Sequence, residues 1–282
     1  MTNLSIFSTR SSLREAIVSK MKPGSNVGFV PTMGALHEGH LALIQRAHKE
    51  NELVVVSIFV NPTQFNNSLD LEKYPRMLEK DAEKLEELGF QILLFAPSVE
   101  EVYPFNDSYN PIELSGLDQV MEGKYRPGHF QGVVHVVRNL FQIVVPSNAY
   151  FGQKDFQQLA IIRHMTRVLQ FNINIVGCDT LRQSNGLAMS SRNLRLNEQQ
   201  KEDALILFKT LEYIKNHKGS FGPNELRSLA IEFFQKSVLE LEYLDIVDAT
   251  NLSPLQDEWS KQSVCCIAAF CGDVRLIDNM LL

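Results

Sequence analysis

Two histidines three residues apart, His37 and His40, are the first residues of this chain whose type and spacing suggest chemistry. Histidine can transfer a proton near neutral pH, donate a hydrogen bond to a charged oxygen, or bind a metal ion. Residues three apart on a helix point in similar directions, so both rings can face one ligand. The competing interpretation is two solvent-exposed histidines in an ordinary turn. Zinc binding is a weaker one, because no third ligand lies nearby in the sequence.

The elements around these histidines form a strand, a turn and a helix. Residues 27–30 are apolar and predict a buried strand, which Pro31 is expected to end because proline has no N–H to donate. Gly34 and Gly39 permit a tight turn and a close approach of a ligand to the backbone. From Leu41 onward the apolar residues recur at helical spacing. The pair therefore lies at a helix N-terminus, whose partial positive charge and free N–H groups suit a phosphate.

Four further polar segments accompany other predicted elements. They are residues 61–65 with the amide of Gln64, 117–130 with Arg126, 152–155 with Lys154 and Asp155, and 182–193 with two arginines. Segment 117–130 lacks periodicity and predicts an ordered loop over a site. Segment 182–193 suits a mobile phosphate clamp, with a linker as the alternative. Asp155 is expected to cap the next helix, and a loop-capping amide is the favoured interpretation of Gln64.

Strands and helices are predicted to alternate through the first 178 residues. Besides those around the histidines, strands are expected at 53–60, 91–95, 149–152 and 172–178, and helices at 8–20, 75–88, 98–103, 131–145 and 156–169. This alternation favours a parallel α/β sheet of Rossmann-like type with helices on both faces. In the first helix, Leu13, Ile17 and Val18 are expected to face inward.

The C-terminal part has a different pattern. Long amphipathic helices at 197–217 and 223–239 precede three antiparallel strands at 242–248, 263–270 and 274–277. The shift near Asn185 predicts a first domain of residues 1–184, which would bind ligands, and a smaller α+β lid domain of residues 185–282.

Composition limits the class of protein. The 282 residues are 44% hydrophobic with a net charge of −6, which is typical of a globular protein and argues against binding nucleic acid or a membrane surface. No apolar run approaches the roughly 18 residues of a membrane span, and no secretory signal is visible. Four cysteines without zinc-binding spacing favour a reduced, cytoplasmic protein. An acidic chain that binds phosphate must use a few local cations.

Together these segments resemble the pantoate–β-alanine ligase family from end to end. The resemblance rests on residues 31–34 before the histidine pair, residues 152–155 and 189–192, and residues 275–279 near the C-terminus. The histidine motif alone also resembles the wider group of nucleotidyltransferases and class I aminoacyl-tRNA synthetases. These enzymes share a Rossmann-like ATP-binding fold.

The resemblance implies an AMP-forming ligase of pantothenate biosynthesis. ATP and pantoate would give pantoyl adenylate and pyrophosphate, and the amine of β-alanine would then displace AMP. A carboxylate is a poor electrophile, so adenylation supplies the leaving group, and the protein positions and stabilises charge at the α-phosphate. The family also implies Mg²⁺ and a homodimer.

The resemblance assigns roles to individual residues. His37, His40, Lys154 and Arg192 would be catalytic, with His40 as proton donor. The ATP site would comprise Met33, Gly34, Ala35, Leu36, His37, Glu38, Gly39, His40, Gly152, Gln153, Lys154, Asp155, Leu181, Met189, Ser190, Ser191 and Arg192. Gln64, Gln158 and Arg126 would bind pantoate and β-alanine, and Asp155 would lie near Mg²⁺. Leu181 stands where relatives have Val, and Gln153 where many have Glu.

Two other functions remain open at this stage. Another adenylyl- or cytidylyl-transferase would leave Gln64, Gln158 and the loop at 125–130 without a role. A catalytically silent nucleotide-binding protein would be favoured by the loss of His37, His40, Lys154 or Arg192, and all four are present.

Overall fold

The computed structural model describes residues 3–65, 68–105, 107 and 109–282, and its largest feature is a six-stranded parallel sheet. The strands, in chain order, are β1 (Leu4–Phe7), β2 (Val27–Thr32), β3 (Leu53–Ile58), β4 (Ile92–Phe95), β5 (Asn148–Gly152) and β6 (Asn174–Cys178). Their spatial order is β1-β4-β3-β2-β5-β6. All strand pairs of this sheet are parallel, and the order in which the chain adds strands to the sheet reverses between β2 and β5. Such a reversal opens a crevice at the carboxyl ends of the strands, where α/β proteins bind ligands.

Helices cover both faces of this sheet, which confirms the predicted fold class. They are α1 (Arg10–Lys20), α2 (Glu38–Glu50), α3 (Ser68–Lys73), α4 (Leu78–Glu86), α5 (Val99–Val102), α6 (Met121–Tyr125), α7 (His129–Val144) and α8 (Phe156–Val168). Successive residues of one strand point to opposite faces of the sheet and pack in different cores. In β3, for example, Val55 packs with α7 and α8 residues, whereas Val54 and Val56 pack with residues of α2 and α4. Burial on both faces explains the continuous apolar strands.

The C-terminal part is a three-stranded antiparallel sheet with two helices. Its elements are α9 (Glu198–His217), α10 (Pro223–Phe234), β7 (Glu240–Asp248), β8 (Ser263–Cys271) and β9 (Val274–Leu281), and β8 is the central strand. One face packs under α9 and α10, and the other contributes Tyr243 and Cys266 to a core shared with α7. A boundary after residue 184 stays a prediction. It lies between Arg182 and Ala188, which are joined as a β-bridge.

Several local predictions were wrong. Val18 is 74% exposed, because it lies off the stripe formed by Leu13 and Ile17 on the short helix α1. Pro31 does not end β2: pairing with β5 stops at Phe29, but pairing with β3 continues to Thr32.

Two expectations for polar segments also need correction. The Asp155 side chain makes no capping hydrogen bond to α8. Segment 117–130 contains α6 and the start of α7, so it is not an irregular loop. Strand β1, of four residues, and helix α3, of six, had no predicted counterpart. No helix among the described residues combines the length and apolar character needed to cross a membrane.

Candidate active site

A cleft opens where the order of strands reverses, at the carboxyl ends of β2 and β5. It encloses about 240 Å³ and joins residues from every polar segment singled out in the sequence. The predicted site residues that line it are Met33, His37, Gly39, His40, Gln64, Arg126, Gly152, Lys154, Asp155, Gln158, Leu181, Met189, Ser190, Ser191 and Arg192. A second cavity of about 70 Å³ adjoins it and extends towards β8 and β9, sharing Arg126, Lys154 and Arg192 with the cleft.

The histidine pair begins helix α2. His37 is the N-cap residue, and its Nδ1 accepts a hydrogen bond from the N–H of Gly39 at 3.1 Å. The backbone N–H of His37 in turn donates to Nδ1 of His40 at 3.4 Å. Because both Nδ1 atoms act as acceptors, each neutral ring carries its proton on Nε2. The rings lie 4.0 Å apart between centroids, so two Nε2–H donors can serve one ligand.

Both rings are neutral at physiological pH. Burial, followed by the charge of Lys154, lowers the pKa of His37 to about 4. Burial, then His37 and Lys154, lowers the pKa of His40 to about 3. Desolvation and nearby positive charge both disfavour the imidazolium. The pair therefore offers hydrogen-bond donors to an anion without itself carrying positive charge.

A buried carboxylate on α4 holds the turn before His37. Asp81 is 1% exposed, and its two oxygens accept hydrogen bonds from the N–H groups of Ala35 at 2.8 Å and Leu36 at 2.7 Å. Lys84 donates to the carbonyl of Leu36 at 2.6 Å. Ala35 has a φ of 49°, which is uncommon for a residue with a side chain, so the turn needs such support.

Five residues expected in the ATP site do not line the cleft. Gly34, Ala35 and Leu36 are buried, and the N–H groups of the latter two are occupied by Asp81. Glu38 is exposed, and Gln153 borders neither cavity. These residues belong to the turn before α2, to the start of α2 and to the 153–155 turn, and they do not border the cleft.

The lysine segment after β5 is held by the C-terminal strand. Gln153–Asp155 forms a 3₁₀ turn, and the amide Nδ2 of Asn279 donates to the carbonyls of Gln153 at 2.9 Å and Lys154 at 2.7 Å. The Lys154 ammonium lies 3.7 Å from a carboxylate oxygen of Asp155. Because Asn279 belongs to β9, the C-terminal sheet directly fixes the position of Lys154.

The predicted phosphate clamp lies against the histidine turn. The hydroxyl of Ser191 donates to the carbonyl of Ala35 at 3.1 Å, and Ser190 accepts from the N–H of Arg192 at 3.3 Å. Arg182, at the start of this segment, binds Asp278 through both guanidinium nitrogens at 2.6 and 2.9 Å. The segment is thus anchored to β9 at one end and to the turn before α2 at the other.

Backbone groups determine the orientation of Gln64. Asn61 accepts a hydrogen bond from the N–H of Thr63 at 3.2 Å and donates through Nδ2 to the carbonyl of Gly132 at 3.1 Å. These two contacts identify the oxygen and the nitrogen of its side-chain amide. The same Nδ2 donates to Oε1 of Gln64 at 3.0 Å. The NH₂ of Gln64 therefore points to Met33 Sδ, 3.0 Å away, and offers a donor to the cleft.

An ion-pair network lies behind Arg126. Arg275 binds both oxygens of Glu122 at 2.7 and 2.8 Å and also pairs with Glu242, and Tyr243 donates to Glu122 at 2.8 Å. Arg126 lies 3.5 Å from the same carboxylate. Burial alone would raise the pKa of Glu122, but Arg275 and then Arg126 and Tyr243 lower it to about 2. Glu122 is thus ionised and shared between two arginines.

Sequence reasoning missed several supporting residues. Asp81 lies within a charged helix and gives no local signal, and Asn279 was noted only as part of a motif. His129 and Asn61 lie inside segments that were singled out, but neither was given a role. Tyr103, whose hydroxyl donates to Asn61 at 2.7 Å, is 42 residues distant in the chain. Only folding brings these groups next to the residues that line or border the cleft.

The residues present fit one kind of metal site. No group of three or more histidine, cysteine or acidic side chains placed to hold a metal occurs among the residues that the structure describes. Asp155 contributes a half-exposed carboxylate to the cleft. Mg²⁺ is commonly held by one or two carboxylates together with the phosphates of a substrate, so this donor set suits a cation that arrives with a nucleotide.

The fold and cleft define the class of protein. A parallel sheet with helices on both faces and a cleft at its reversal point, bordered by a helix N-terminus and by cations, is the arrangement of nucleotide-binding α/β proteins. Comparison with known proteins identifies the family. Residues 5–281 match the family model described as pantoate-beta-alanine ligase. The chain belongs to the pantoate–β-alanine ligase family and is therefore an enzyme of pantothenate biosynthesis.

Individual relatives resemble the chain along nearly its whole length. A pantothenate synthetase of Bacteroides fragilis is 50% identical over 264 residues, 91% of each chain, and one of Phocaeicola vulgatus is 48% identical over 98% of this chain and 99% of its own. The crystal structure of a pantothenate synthetase from Thermus thermophilus has a TM-score of 0.90, 43% identity and 98% coverage of both chains.

A further solved structure contains ligands. The pantoate-beta-alanine ligase of Francisella tularensis, complexed with beta-gamma ATP and β-alanine, is 35% identical with a TM-score of 0.79. The match covers 99% of this chain and 97% of that one. The matches span both the parallel sheet and the C-terminal part, so they concern the whole fold.

Proposed function

We propose that this chain joins pantoate to β-alanine in two steps within the cleft between β2 and β5. ATP first transfers its adenylyl group to the pantoate carboxylate and releases pyrophosphate. The amine of β-alanine then attacks the acyl carbon and AMP leaves. The observation that carries this proposal is the placement of His37, His40, Lys154 and Arg192 around one cleft, although they are up to 155 positions apart in the chain.

The phosphates of ATP are assigned to the histidine pair and the two cations. The Nε2–H groups of His37 and His40 donate to phosphate oxygens, and Lys154 and Arg192 neutralise the charge that develops at the α-phosphate. Phosphate anions close to His40 oppose the effects that lower its pKa. His40 can then hold a proton and act as the donor that the family resemblance implies.

Pantoate is assigned to the part of the cleft beside α7. Gln64 and Gln158 supply polar groups for its hydroxyl and carboxylate oxygens, and Gln64 presents an NH₂ donor there. The walls include Phe59, Val133 and Val136, which are apolar and suit the two methyl groups of pantoate. Arg126 is assigned to the carboxylate of β-alanine.

Asp155 would hold Mg²⁺ together with the phosphates of ATP. The ion would neutralise phosphate charge during adenylyl transfer. The remaining predicted ATP contacts, residues 33–40, 152–155, 181 and 189–192, are proposed on the family resemblance. They include five residues whose contribution would be to shape the site.

We also propose a homodimer in the cytoplasm, with a ligand-binding domain of residues 1–184 and a lid domain of residues 185–282. The support is the family resemblance and the change of sheet type along the chain. Sedimentation of the purified protein, with one sharp species at twice the chain mass as the expected result, tests the dimer.

Isotope exchange between ATP and pyrophosphate tests the proposed function. Purified protein with Mg²⁺ and pantoate, but no β-alanine, should exchange label, and the same mixture without pantoate should not. Exchange that requires a different acid would contradict pantoate as substrate and preserve the adenylation chemistry. Binding of ATP without exchange for any acid would favour the silent nucleotide-binding alternative.

A further inference from the structure

His129, the first residue of α7, has a defined proton position. Its Nδ1 lies 2.7 Å from the backbone carbonyl of Gln64, at hydrogen-bond distance. A carbonyl oxygen can only accept, so Nδ1 must carry the proton. In the neutral ring, Nε2 is then an acceptor with a free lone pair. This is the opposite arrangement to His37 and His40, whose Nδ1 atoms accept and whose Nε2 atoms donate.

The free nitrogen of His129 is assigned to the active-site space. His129 is one of the residues that line both the cleft and the second cavity. No described residue forms a hydrogen bond with Nε2, and this atom is not among the four buried polar atoms that lack a partner in the described structure. Because Nε2 has no partner and is not enclosed, it is accessible to solvent. The side chain as a whole is buried, so we infer that this access is through the two cavities that His129 lines.

The environment keeps this ring neutral. Burial, followed by the charge of Arg126, lowers the pKa of His129 to about 4, although the hydrogen bond to Gln64 acts in the opposite direction. The lone pair on Nε2 is therefore available near neutral pH. A carboxylate bound to Arg126 would offset the charge that opposes protonation, so substrate binding itself makes the ring a better base.

The amine of β-alanine presents a chemical requirement that the residues assigned to the phosphates and to pantoate do not meet. It enters as an ammonium ion, and it must lose a proton before its nitrogen can attack. Lys154, Arg192, His37 and His40 all present donors to the cleft, and Gln64 presents an NH₂. The carboxylate of Asp155 also lines the cleft, but it is assigned to Mg²⁺. The Nε2 atom of His129 is an acceptor to which neither ATP nor pantoate has been assigned.

We propose that His129 is the catalytic base of the second step, accepting a proton from the amine of β-alanine at Nε2. This rests on the proposed function of the cleft. The amine nitrogen forms a bond to the acyl carbon of pantoyl adenylate, and the bond from that carbon to the phosphate oxygen breaks. AMP leaves with the electron pair. The nitrogen loses two protons in all: Nε2 takes the first from the ammonium before the attack and passes it to solvent, and the second passes from the new amide nitrogen to the departing phosphate of AMP.

The position of Arg126 agrees with this assignment. The N–H of His129 donates to the carbonyl of Arg126 at 3.0 Å, so the two residues belong to one tight turn at the rim of both cavities. Both residues line the two cavities, and we assign the carboxylate of β-alanine to the guanidinium and its amine to the imidazole. Adenylation involves neither contact, and the two half-reactions should therefore respond differently to the loss of Nε2.

The substitution His129→Asn separates the two nitrogens. An Asn side chain can retain the donor to the Gln64 carbonyl, because its amide nitrogen lies near the position of Nδ1, but it has no group at Nε2. Formation of pantothenate should fall by about 10²–10⁴-fold, the range for loss of a general base. Pantoate-dependent exchange between ATP and pyrophosphate should remain within a few-fold of the original rate.

Hydroxylamine provides a second readout. It is a weakly basic amine, uncharged near neutral pH, and traps an acyl adenylate as a hydroxamate without needing a strong base. The His129→Asn variant should form hydroxamate nearly as fast as the original protein. The matched control is His164→Gln, which alters another buried histidine whose Nε2 contacts the carbonyl of Glu113 away from both cavities. It should leave both half-reactions intact.

The outcomes separate the two proposals. Absence of pantoate-dependent exchange in the original protein would contradict the proposed function itself. If exchange is normal and His129→Asn loses pantothenate and hydroxamate formation equally, the residue shapes the site and is not the base. Unchanged pantothenate formation in that variant would also overturn the assignment.

Discussion

Arg275 on β9 forms a bidentate ion pair with Glu122 on α6, with nitrogen–oxygen distances of 2.7 and 2.8 Å. The two residues are 153 positions apart in the chain. Both side chains are largely buried, with exposures of 19% and 9%. The pair connects the C-terminal sheet to the segment that carries Arg126. It therefore couples the stability of the interface to the position of a proposed substrate-binding cation.

Replacing one partner of this pair should destabilise the protein. Glu122→Gln leaves the buried guanidinium of Arg275 with less negative charge. Leaving a buried charge without a partner costs about 3–5 kcal/mol, and the cost here should lie below that range because Arg275 keeps its pair with Glu242. Chemical denaturation should show a lower midpoint. The matched control is Glu198→Gln, which removes an exposed pair with Lys201 and should cost less than about 1 kcal/mol. Equal effects of the two substitutions would contradict a structural role for the buried pair.

Acid should destabilise the protein before carboxylates begin to protonate. His37, His40 and His129 have folded-state pKa values of about 4, 3 and 4, below the unfolded value of 6.5. The unfolded chain therefore binds protons first, and the free energy of unfolding falls as pH drops from 6.5 towards 4. Each histidine contributes a slope of up to about 1.4 kcal/mol per pH unit.

The window from pH 6.5 to pH 4.5 precedes the loss of the stabilisation from ionised Glu122, which occurs below pH 4.5. Comparison with a variant that lacks one histidine assigns part of the slope to that residue. Urea denaturation at several pH values measures the slope. His40→Gln should reduce it, since glutamine does not titrate. An unchanged slope in that variant would mean that His40 is not kept neutral by the fold.

The carboxylate of Asp81 should matter for catalysis although it touches no substrate. Asp81→Asn can accept only one of the two N–H groups of Ala35 and Leu36 through its single oxygen. Loss of a hydrogen bond to a charged group costs about 1.5–3 kcal/mol, and the turn that positions the histidines should loosen. We expect the adenylation rate to fall more than the affinity for pantoate. Glu79→Gln, on the exposed side of the same helix, is the control and should change neither.

The ammonium of Lys154 should contribute mainly to the transition state of adenylation. Lys154→Ala should lower kcat/KM for ATP by about 10²–10³-fold, corresponding to the loss of one transition-state donor. Steady-state kinetics with ATP as the varied substrate measure this change. Lys209→Ala, an exposed lysine on α9, should leave the value unaltered. Normal ATP kinetics in the Lys154 variant would remove this residue from the proposed site.

The fold class followed from local patterns in the sequence. Continuous apolar strands such as residues 53–58 indicated a parallel sheet covered on both faces, and their alternation with amphipathic helices indicated an α/β protein. Errors arose where tertiary contacts override a local preference. Pro31 continues β2 because β3 still pairs with it there, after the pairing with β5 has stopped at Phe29.

The candidate site was predictable only in part. Gly39, His40 and Lys154 carry recognisable signals, because they follow apolar strands in polar turns. The groups that orient them do not: Asp81 looks like any acidic residue of a charged helix, and Asn279 lies 125 positions from the carbonyl of Lys154 that it holds. Their assignment needs long-range geometry, and the roles of the predicted residues stay predictions until they are tested by substitution.

By itself, the sequence determined the periodicity of the elements, the position of the polar turns and the family to which the chain belongs. These depend on residues that are close in the chain or on motifs that can be compared directly. The tertiary structure decided the order of strands and therefore the place of the cleft. It also decided the proton positions, since opposite tautomers of His129 and His40 are set by a carbonyl and an N–H. Local sequence patterns do not show which backbone group a side chain will contact, because that contact depends on how distant segments pack together.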